Sequence, residues 1–477
     1  MAEPRPDSPH AEYAAHSSQW KRARDTFAGT DAVKGAREEY LPKLDVHLRG
    51  TKGDERYNAY LRRAYFYNAV KRTVVGLSGL IHQTEPSVEA PDALEGPLSD
   101  VTITGVSAKL LSLLTTQEVL LVGRAGILVE MSEGPDARPY WVPFKAENIV
   151  NWRVGYDGGE PYLALVVLKV CGYEADPADR FASKEVEKYR MLALVDGAYV
   201  QTVWTLDAKT GKWDVSAPVI ARRRGEALDF IPFVFVGPTS SDPTVEAPPL
   251  IDLIDLNISH YQTTANLEHG LGYLGAPSLV LIGAVDRQGK PIEYGSSSAI
   301  LLPTGGDAKI LQADGNMMGA LERSEERKRK LLATLGARLL EEQPAAAETA
   351  AAVGMRHSGE HATLRTVAQS VERAFTDALQ VTVWWYGTDA DPESVDANFE
   401  LNKDFFNMTL GAEDVKTLIL ALQADAISFE TFWKEFTDGG HGRPGVSADQ
   451  ELAEIRTQAG PKPVALPNPS KPPCWRG

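Results

Sequence analysis

The sequence predicts an α+β protein. Three observations carry that expectation. Leu364, Val367, Val371, Phe375 and Leu379 recur every three or four residues, the stripe of one long helix. Short β-rich runs between residues 126 and 236 are separated by turn signals, among them Asp157-Gly158-Gly159, Asp196-Gly197 and Thr210-Gly211-Lys212. Glu322–Lys330, ERSEERKRK, has no apolar residue over more than two helical turns, so a helix there is polar all round.

The elements follow in order. Residues 1–10 are polar and proline-rich and read as disordered. Helix is expected over residues 11–90, where Tyr13, Trp20, Ala23 and Phe27 recur at helical spacing. Gly50 to Asp54 makes a loop, and Tyr57 to Ile81 makes a second helix. Its aromatics Tyr57, Tyr60, Tyr65, Phe66 and Tyr67 read as core and interface positions. Leu110 to Val122 is an apolar helix ended by Gly123. Strands are expected at Gly126–Met131, Tyr140–Pro143, Leu163–Lys169, Tyr189–Val195, Val200–Thr205 and Phe233–Val236. Their hairpin spacing suggests a mixed or antiparallel sheet against the N-terminal helices. Arg222-Arg223-Arg224 reads as a solvated turn.

Gly237 to Pro249 is a proline-rich boundary. A helix over Leu250–Tyr273 carries Leu250, Leu253, Ile254, Ile258, Tyr261 and Leu267 on its apolar face. Residues 276–312 return to short strands, and Met317–Leu340 is helical again. Glu341–Thr349 is a loop containing Pro344. The long helix then runs from Ala350 to Tyr386, on the order of 50 Å at 1.5 Å per residue. Phe399–Ala459 is a small, mostly helical module, and the proline-rich tail 460–477 reads as disordered.

Composition bounds the function classes. The 477 residues are 43% hydrophobic and 24% charged, ordinary for a chain that buries a real core in two to four folding units. The net charge of −16 argues against tight phosphate-neutralising DNA binding over a large surface. Cys171 and Cys474 are far apart and neither lies in a CxxC pair, so no disulfide framework or zinc knuckle is expected. MAEPRPDSPH lacks the apolar core of a signal peptide. The longest apolar run, Tyr162 to Val170, falls far short of the roughly 20 residues a spanning helix needs.

Two chemistry motifs have simpler roles, and a third is absent. Gly270-Leu-Gly272-Tyr-Leu-Gly275 is a literal GxGxxG, but it follows a helix and leads into a strand, the reverse of a dinucleotide fingerprint. Glycine as a helix stop is the better account. His357-Ser-Gly-Glu360-His361 is an HxxEH pattern that could seat zinc, with His357 and His361 as ligands and Glu360 as base. It lacks a third ligand, contains Gly359 and sits in an alanine-rich helix, so solvent or interface histidines are the preferred reading. No GxxxxGK[ST] occurs, so no Walker-type ATPase is encoded. No catalytic residue, cofactor or metal is expected. Arg327–Lys330 is the charge run of interest: a solvated face balanced by Glu322, Glu325 and Glu326, or cations placed to meet phosphates.

An ordered series of segments resembles a known family. It begins with Tyr40-Leu41-Pro42 and Asp54–Pro86, including Tyr57, Tyr60, Arg62-Arg63-Ala64, Asn68, Thr73, Gly76 and Gly79. It continues through Gly123–Gly126, Glu147–Trp152, Ile231-Pro232-Phe233 and Pro248-Pro249-Leu250 with Asn257, His260 and Tyr261. It ends with Met317–Leu340, Glu348-Thr349-Ala350 and Phe399–Phe405. Together, over residues 20–455, these resemble the portal (head-to-tail connector) proteins of tailed bacteriophages. No single piece is specific; their order is.

The resemblance implies a portal-like fold and a dodecameric ring at one capsid vertex, in the virion and, during assembly, in the host cytoplasm. It implies a wing over residues 11–249, with a helical part and a mixed sheet. Stem helices would span 250–275 and 313–340 around a small β-containing clip at 276–312. Residues 341–349 would be the tunnel loop, 350–398 the long tunnel helix returning to the wing, and 399–459 a helical crown-like module. Implied partners are other copies of the chain, the terminase large subunit, a head–tail adaptor, the major capsid or scaffold protein, and double-stranded DNA held non-specifically; no membrane is involved. Such a ring conducts DNA during packaging and ejection and is not an enzyme. Arg327, Lys328, Arg329 and Lys330, with Glu341, Glu342 and Gln343, are the candidate contacts to DNA or to neighbouring subunits. The alternatives are a zinc-dependent hydrolase built on His357, Glu360 and His361, or another capsid-associated adaptor.

Overall fold

A computed structural model describes residues 5–48, 52–91, 94–132, 134, 137–176, 179–207, 210–274, 278–282, 304–311, 316–337, 350–403, 405, 412–424, 426–438, 441–443 and 446–458. The class is α+β, as expected. The chain divides into two compact units, Met1–Lys403 and Asp404–Gly477.

The first unit opens with helices α1 (Ala11–Ala28), α2 (Thr30–Gly35), α3 (Asp45–Leu48), α4 (Gly53–Arg63) and α5 (Ala69–Ile81). After strand β1 (Ser87–Glu89) come α6 (Glu95–Ser99) and α7 (Ala108–Val122). Residues 5–10, expected to be disordered, are placed instead. The His10 N–H donates to Val150 O at 2.9 Å, Asn151 Nδ2 donates to Ser8 O at 2.9 Å, and the His10 ring stacks on Trp152 at 4.0 Å.

The continuous helix expected from Tyr57 to Ile81 is broken at residues 64–68. Ala64 leaves helical geometry at φ −56°, ψ 134°. Asn68 then starts α5, its side chain accepting from Lys71 N at 3.0 Å. The main-chain groups freed by the break find partners nearly two hundred residues away. Thr264 Oγ1 donates to Tyr65 O (2.7 Å), Asn257 Nδ2 donates to Tyr67 O (2.8 Å), and Asn257 Oδ1 accepts from Ala69 N (3.3 Å). Satisfying buried backbone groups in this way lets the chain abandon a helix that local pattern favours.

All strand pairs are antiparallel among the described residues. A six-stranded sheet has the order β4–β5–β6–β7–β8, formed by β4 (Ile149–Asp157), β5 (Glu160–Asp176), β6 (Asp179–Val195), β7 (Ala198–Leu206) and β8 (Trp213–Val215), with β9 (Val219–Ile220) also on β7. Asp196 (φ 52°) and Gly197 (φ 79°) make the tight turn between β6 and β7, a geometry that suits the twist of the flanking strands. β4 is a strand that hairpin spacing alone did not mark. β5 and β6 run 17 residues each, well past the expected Leu163–Lys169 and Tyr189–Val195.

Exposed Arg222 and Arg224 fit the expected solvated turn, Arg224 standing in the turn itself, but Arg223 does not. Arg222–Arg223 is β10, paired with β11 (Glu226–Ala227). Arg223 stacks on Trp384 at 4.0 Å and donates to Gly387 O (2.7 Å) and Asp389 O (3.0 Å), while Arg224 donates to Gly387 O (2.6 Å). Carbonyls leaving the C-terminus of a helix lack intrahelical partners and attract cations, which is what fixes this corner.

A three-stranded sheet, order β12–β2–β3, joins β2 (Ala125–Met131), β3 (Pro139–Lys145) and β12 (Phe233–Val236). Between β2 and the loop leading out of β12 lies Arg124, only 2% exposed. Its guanidinium sits between the Trp152 ring (4.1 Å) and the Phe235 ring (4.5 Å), and Nη1 donates to Pro243 O at 2.7 Å. Burial pulls its pKa down to about 9, opposed by the charge of Glu12.

Then come α8 (Ile251–Leu274), the hairpin β13 (Ser278–Ile282) with β14 (Asp307–Leu311), and α9 (Asn316–Leu332), which ends in a π-helical turn, Ala333–Ala337. α10 spans Ala350–Tyr386, as expected. Its stripe residues Leu364, Val367, Val371, Phe375 and Leu379 are all buried. It lies across β12 and β2, with Phe375 edge-on to Trp141 at 5.4 Å and Trp141 Nε1 donating to Thr382 Oγ1 at 2.7 Å. β15 (Asn398–Glu400) returns to pair with β1.

The second unit holds α11 (Ala412–Gln423), α12 (Phe429–Asp438) and α13 (Ala448–Gln458). Phe432 and Trp433 form its small core, and Trp433 Nε1 donates to Val446 O at 2.8 Å.

Candidate functional site

The segment that most needs explaining is the polar helix α9. It lies antiparallel to α8: Met318 meets Gly270, Glu325 meets His260, and Lys328 meets Ser259. α8 presents two kinds of surface. Leu253, Ile254, Ile258 and Tyr261 are buried apolar positions, and Asn257 and His260 are buried beside them. Polar residues Ser259 and Thr263, with His260, form a seam towards α9 that no apolar pattern marks, while Thr264 serves the break at residues 64–68.

Lys328 is therefore not one of a uniform row of outward cations. Its Nζ donates to Ser259 O (3.0 Å), Ser259 Oγ (2.8 Å) and Thr263 Oγ1 (2.7 Å), which occupies all three ammonium protons. Burial lowers its pKa, helped by the neighbouring charge of Arg327. His260 Nε2 lies 3.1 Å from Glu325 Oε1, adding a second polar rivet one turn along. Along Glu322–Lys330 the seam is held by hydrogen bonds, and past it Leu332 is buried; together these seat a helix whose middle has no apolar stripe.

The opposite side of α9 faces outward. Glu322, Arg323, Arg327, Arg329 and Lys330 are exposed. Arg329 pairs with Glu326 one turn back, and Lys330 Nζ lies 3.5 Å from Glu326 Oε1. Glu322 and Glu326 form one row, and Arg323 and Arg327 a parallel row of opposite sign. Exposed pairs of this kind contribute little to folding. They leave a charged surface whose cost of exposure is low and whose capacity for contact is high.

Of the candidate contact residues, Arg327, Arg329 and Lys330 thus share the outer face, and Lys328 belongs to the inner seam. Glu341, Glu342 and Gln343 lie outside the described residues. So do the side chains of His357, Glu360 and His361, whose backbone forms part of α10. Among the described residues, no group of three His, Cys, Asp or Glu side chains is placed to hold a metal ion. Among them also, no helix is long and apolar enough to cross a membrane.

Gly270 and Gly272 do not stop α8, which continues through both to Leu274. A Cβ at Gly270 would lie 2.7 Å from Met318 Sδ, and one at Gly272 would lie 2.9 Å from Arg63 Nη1. Close approach of neighbouring side chains is their role here. Gly275 lies outside the described residues.

Sequence reasoning missed Ser259, Thr263 and His260 as partners of α9. The available signal was the density of polar residues within α8 itself: Asn257, Ser259, His260, Gln262, Thr263, Thr264 and Asn266 fall inside a helix with an apolar face.

A family model described as "Domain of unknown function (DUF4055)" matches residues 249–386, the stretch that holds α8, the β13–β14 hairpin, α9 and α10. A solved structure described as "Neck of native GTA particle computed with C12 symmetry" is similar at 13% sequence identity and a TM-score of 0.34, covering 80% of this chain and 91% of that chain. A likeness at that score defines neither fold nor function. No curated protein matches the sequence.

Proposed function

We propose that this chain is a structural subunit of a phage-type portal ring, a conduit for double-stranded DNA and not an enzyme. The observation that carries the reading is the unit formed by α8, the β13–β14 hairpin and α9. The ordered sequence resemblance implies two stem helices around a small β clip; the antiparallel helices α8 and α9, with the paired strands β13 and β14 between them in the chain, support that reading. The polar outer face of α9 suits a helix packed among equivalents in a ring.

In this reading α8 and α9 are the stem and the β13–β14 hairpin belongs to the clip, where a packaging ATPase and later a tail adaptor would dock. Residues 11–249 form the wing, 341–349 the tunnel loop, and 399–459 the crown-like end. Charge fits the same role. Each copy carries −16, so a twelve-fold ring repels the phosphate backbone on the whole and lets it slide. The outer row of α9, Arg323, Arg327 and Lys330, supplies the local cations that meet DNA or the acids of the next subunit.

Negative-stain imaging and mass photometry of the purified full chain test the reading. Rings with a central hole are expected. A chain that stays monomeric at micromolar concentration, in the presence and absence of its capsid shell, overturns it. Reversing Arg327 and Lys330 to glutamate should impair ring assembly or DNA packaging; intact assembly with intact packaging removes α9 from the contact surface.

A further inference from the structure

A buried titratable cluster stands apart from the α8–α9 seam. His47, on the short helix α3, is only 3% exposed. Its ring lies 5.7 Å from Tyr57, 5.1 Å from Tyr60 and 5.9 Å from His269, and Tyr60 lies 5.1 Å from His269. An imidazole of α3 thus meets an imidazole of α8 beside two tyrosines of α4. The same corner is tied by hydrogen bonds. Tyr57 Oη donates to Leu41 O (2.8 Å), Tyr60 Oη to Asn266 Oδ1 (2.7 Å), and Gln262 Nε2 to Tyr40 O (2.9 Å). Gly53, at the start of α4, packs so closely on His47 O that a Cβ there would clash.

His47 also caps its own helix. Its Nδ1 accepts from Leu44 N at 3.1 Å, the role that Glu or Gln plays three residues into a capping box, and its N–H donates to Leu44 O at 2.8 Å. A ring nitrogen accepts only while it carries no proton, so the neutral ring keeps its proton on Nε2. Among the described residues Nε2 is buried with no hydrogen-bond partner. Protonation therefore finds no acceptor at Nε2 and sets a new N–H against that of Leu44.

The surrounding charges do not welcome a cation. The segment of His47 itself carries Lys43 and exposed Asp45, α4 carries Asp54, Glu55, Arg56 and Arg63, and α8 carries exposed Glu268 beside His269. Lys43 holds Glu38 (2.8 Å) and Asp54 (3.2 Å). The Tyr57 ring already faces Arg37 (5.2 Å) and Lys43 (5.5 Å), which leaves it little to offer a further cation. Burial holds the pKa of His47 below its ordinary value, helped by Lys43 and Arg56. Burial, His47 and Arg63 do the same for His269.

We propose that His47 and His269 form a pH-sensitive latch: while both rings are neutral, α3 and the start of α4 stay docked on α8, and proton uptake in mild acid releases that corner from an otherwise folded unit. A released corner takes up the proton near the ordinary histidine value of about 6.5, whereas the docked corner resists. Docking is therefore strongest above about pH 6.5 and weakens as pH falls towards the docked pKa. The latch stands independently of the ring reading.

Hydrogen–deuterium exchange of the full chain, corrected for the intrinsic pH dependence of amide exchange, reads the corner directly. Protection over residues 41–48 and 53–63 should fall about fivefold or more between about pH 7.5 and about pH 5.5, while α10 keeps its own. His47→Gln offers Leu44 N an acceptor at every pH, so combined with His269→Gln it should abolish that dependence. In the parent chain with isotope-labelled histidine, a ring signal assigned to His47 or His269 by the single substitutions should titrate with the same midpoint as the release. Protection that stays flat in the parent overturns the latch. So does a dependence that persists in the double variant, which assigns the release to other groups. Should the double variant lose the corner already at neutral pH, the parent decides: matching midpoints support the latch, and release with both rings still neutral overturns it.

Discussion

Helices α9 and α10 follow one another in the chain and are held by opposite physics. α10 carries a continuous apolar stripe, buried to 3% exposure or less at Leu364, Val367, Val371, Phe375 and Leu379. α9 has no such stripe over Glu322–Lys330, and along that stretch it is seated by Lys328 and Glu325 on His260 and two hydroxyl side chains of α8. Apolar area fixes α10 from within its own unit. α9 is attached by a few directional bonds and keeps a charged face outward. A helix of the first kind serves the fold; a helix of the second kind is available to something beyond it.

Substitutions should separate the two regimes, and the largest effect belongs to α10. Phe375→Ala removes a fully buried ring between Trp141 and Phe399, and should cost about 3–5 kcal/mol in urea denaturation. Lys328→Ala leaves the Ser259 and Thr263 hydroxyls without their donor, and should cost about 1–2 kcal/mol in the same assay. Should Lys328→Ala cost as much as Phe375→Ala, the distinction between the helices collapses. Arg327→Glu on the outer face should change folding stability by no more than about 0.5 kcal/mol while changing assembly or its salt dependence. A large loss of stability there would mean that the outer face has a partner within the chain.

The smallest effect concerns pH. His82, between α5 and α7, has a lowered pKa, chiefly through burial, with the Ser78 carbonyl acting against it. Its Nε2 lies 3.0 Å from Ser112 Oγ. The unfolded chain protonates this ring near its ordinary value of about 6.5, whereas the folded chain resists until lower pH. Stability supplied by neutral His82 is therefore present above about pH 6.5 and falls as pH drops towards the folded pKa. His82→Gln should flatten that part of a Tm–pH profile; an unchanged slope assigns the loss to other groups.

The same contrast explains what the sequence revealed. The bounds of α10 were legible because an apolar stripe is a local pattern that tertiary packing then obeys. The break at residues 64–68 was not, because its stabilising partners, Asn257 and Thr264, come from α8. Arg223 read as solvated because its acceptors, Gly387 O and Asp389 O, lie more than 160 residues on. The extension of β5 and β6 was missed because apolar alternation stops near Lys169 and resumes near Tyr189, while the pairing continues without it. The inner position of Lys328 depends on which way one lysine in a charged run turns, and composition does not encode that.

Arg124 carries a lesson about exchangeability. Its guanidinium is a flat plate between the Trp152 and Phe235 rings, and Pro243 O receives one of its protons. Planarity, more than charge, is what that slot selects. Lysine preserves the charge but brings a tetrahedral, strongly hydrated head into a space two rings wide. At this position the swap that substitution matrices score as mild is the harsh one, and a flat or apolar replacement is the gentler.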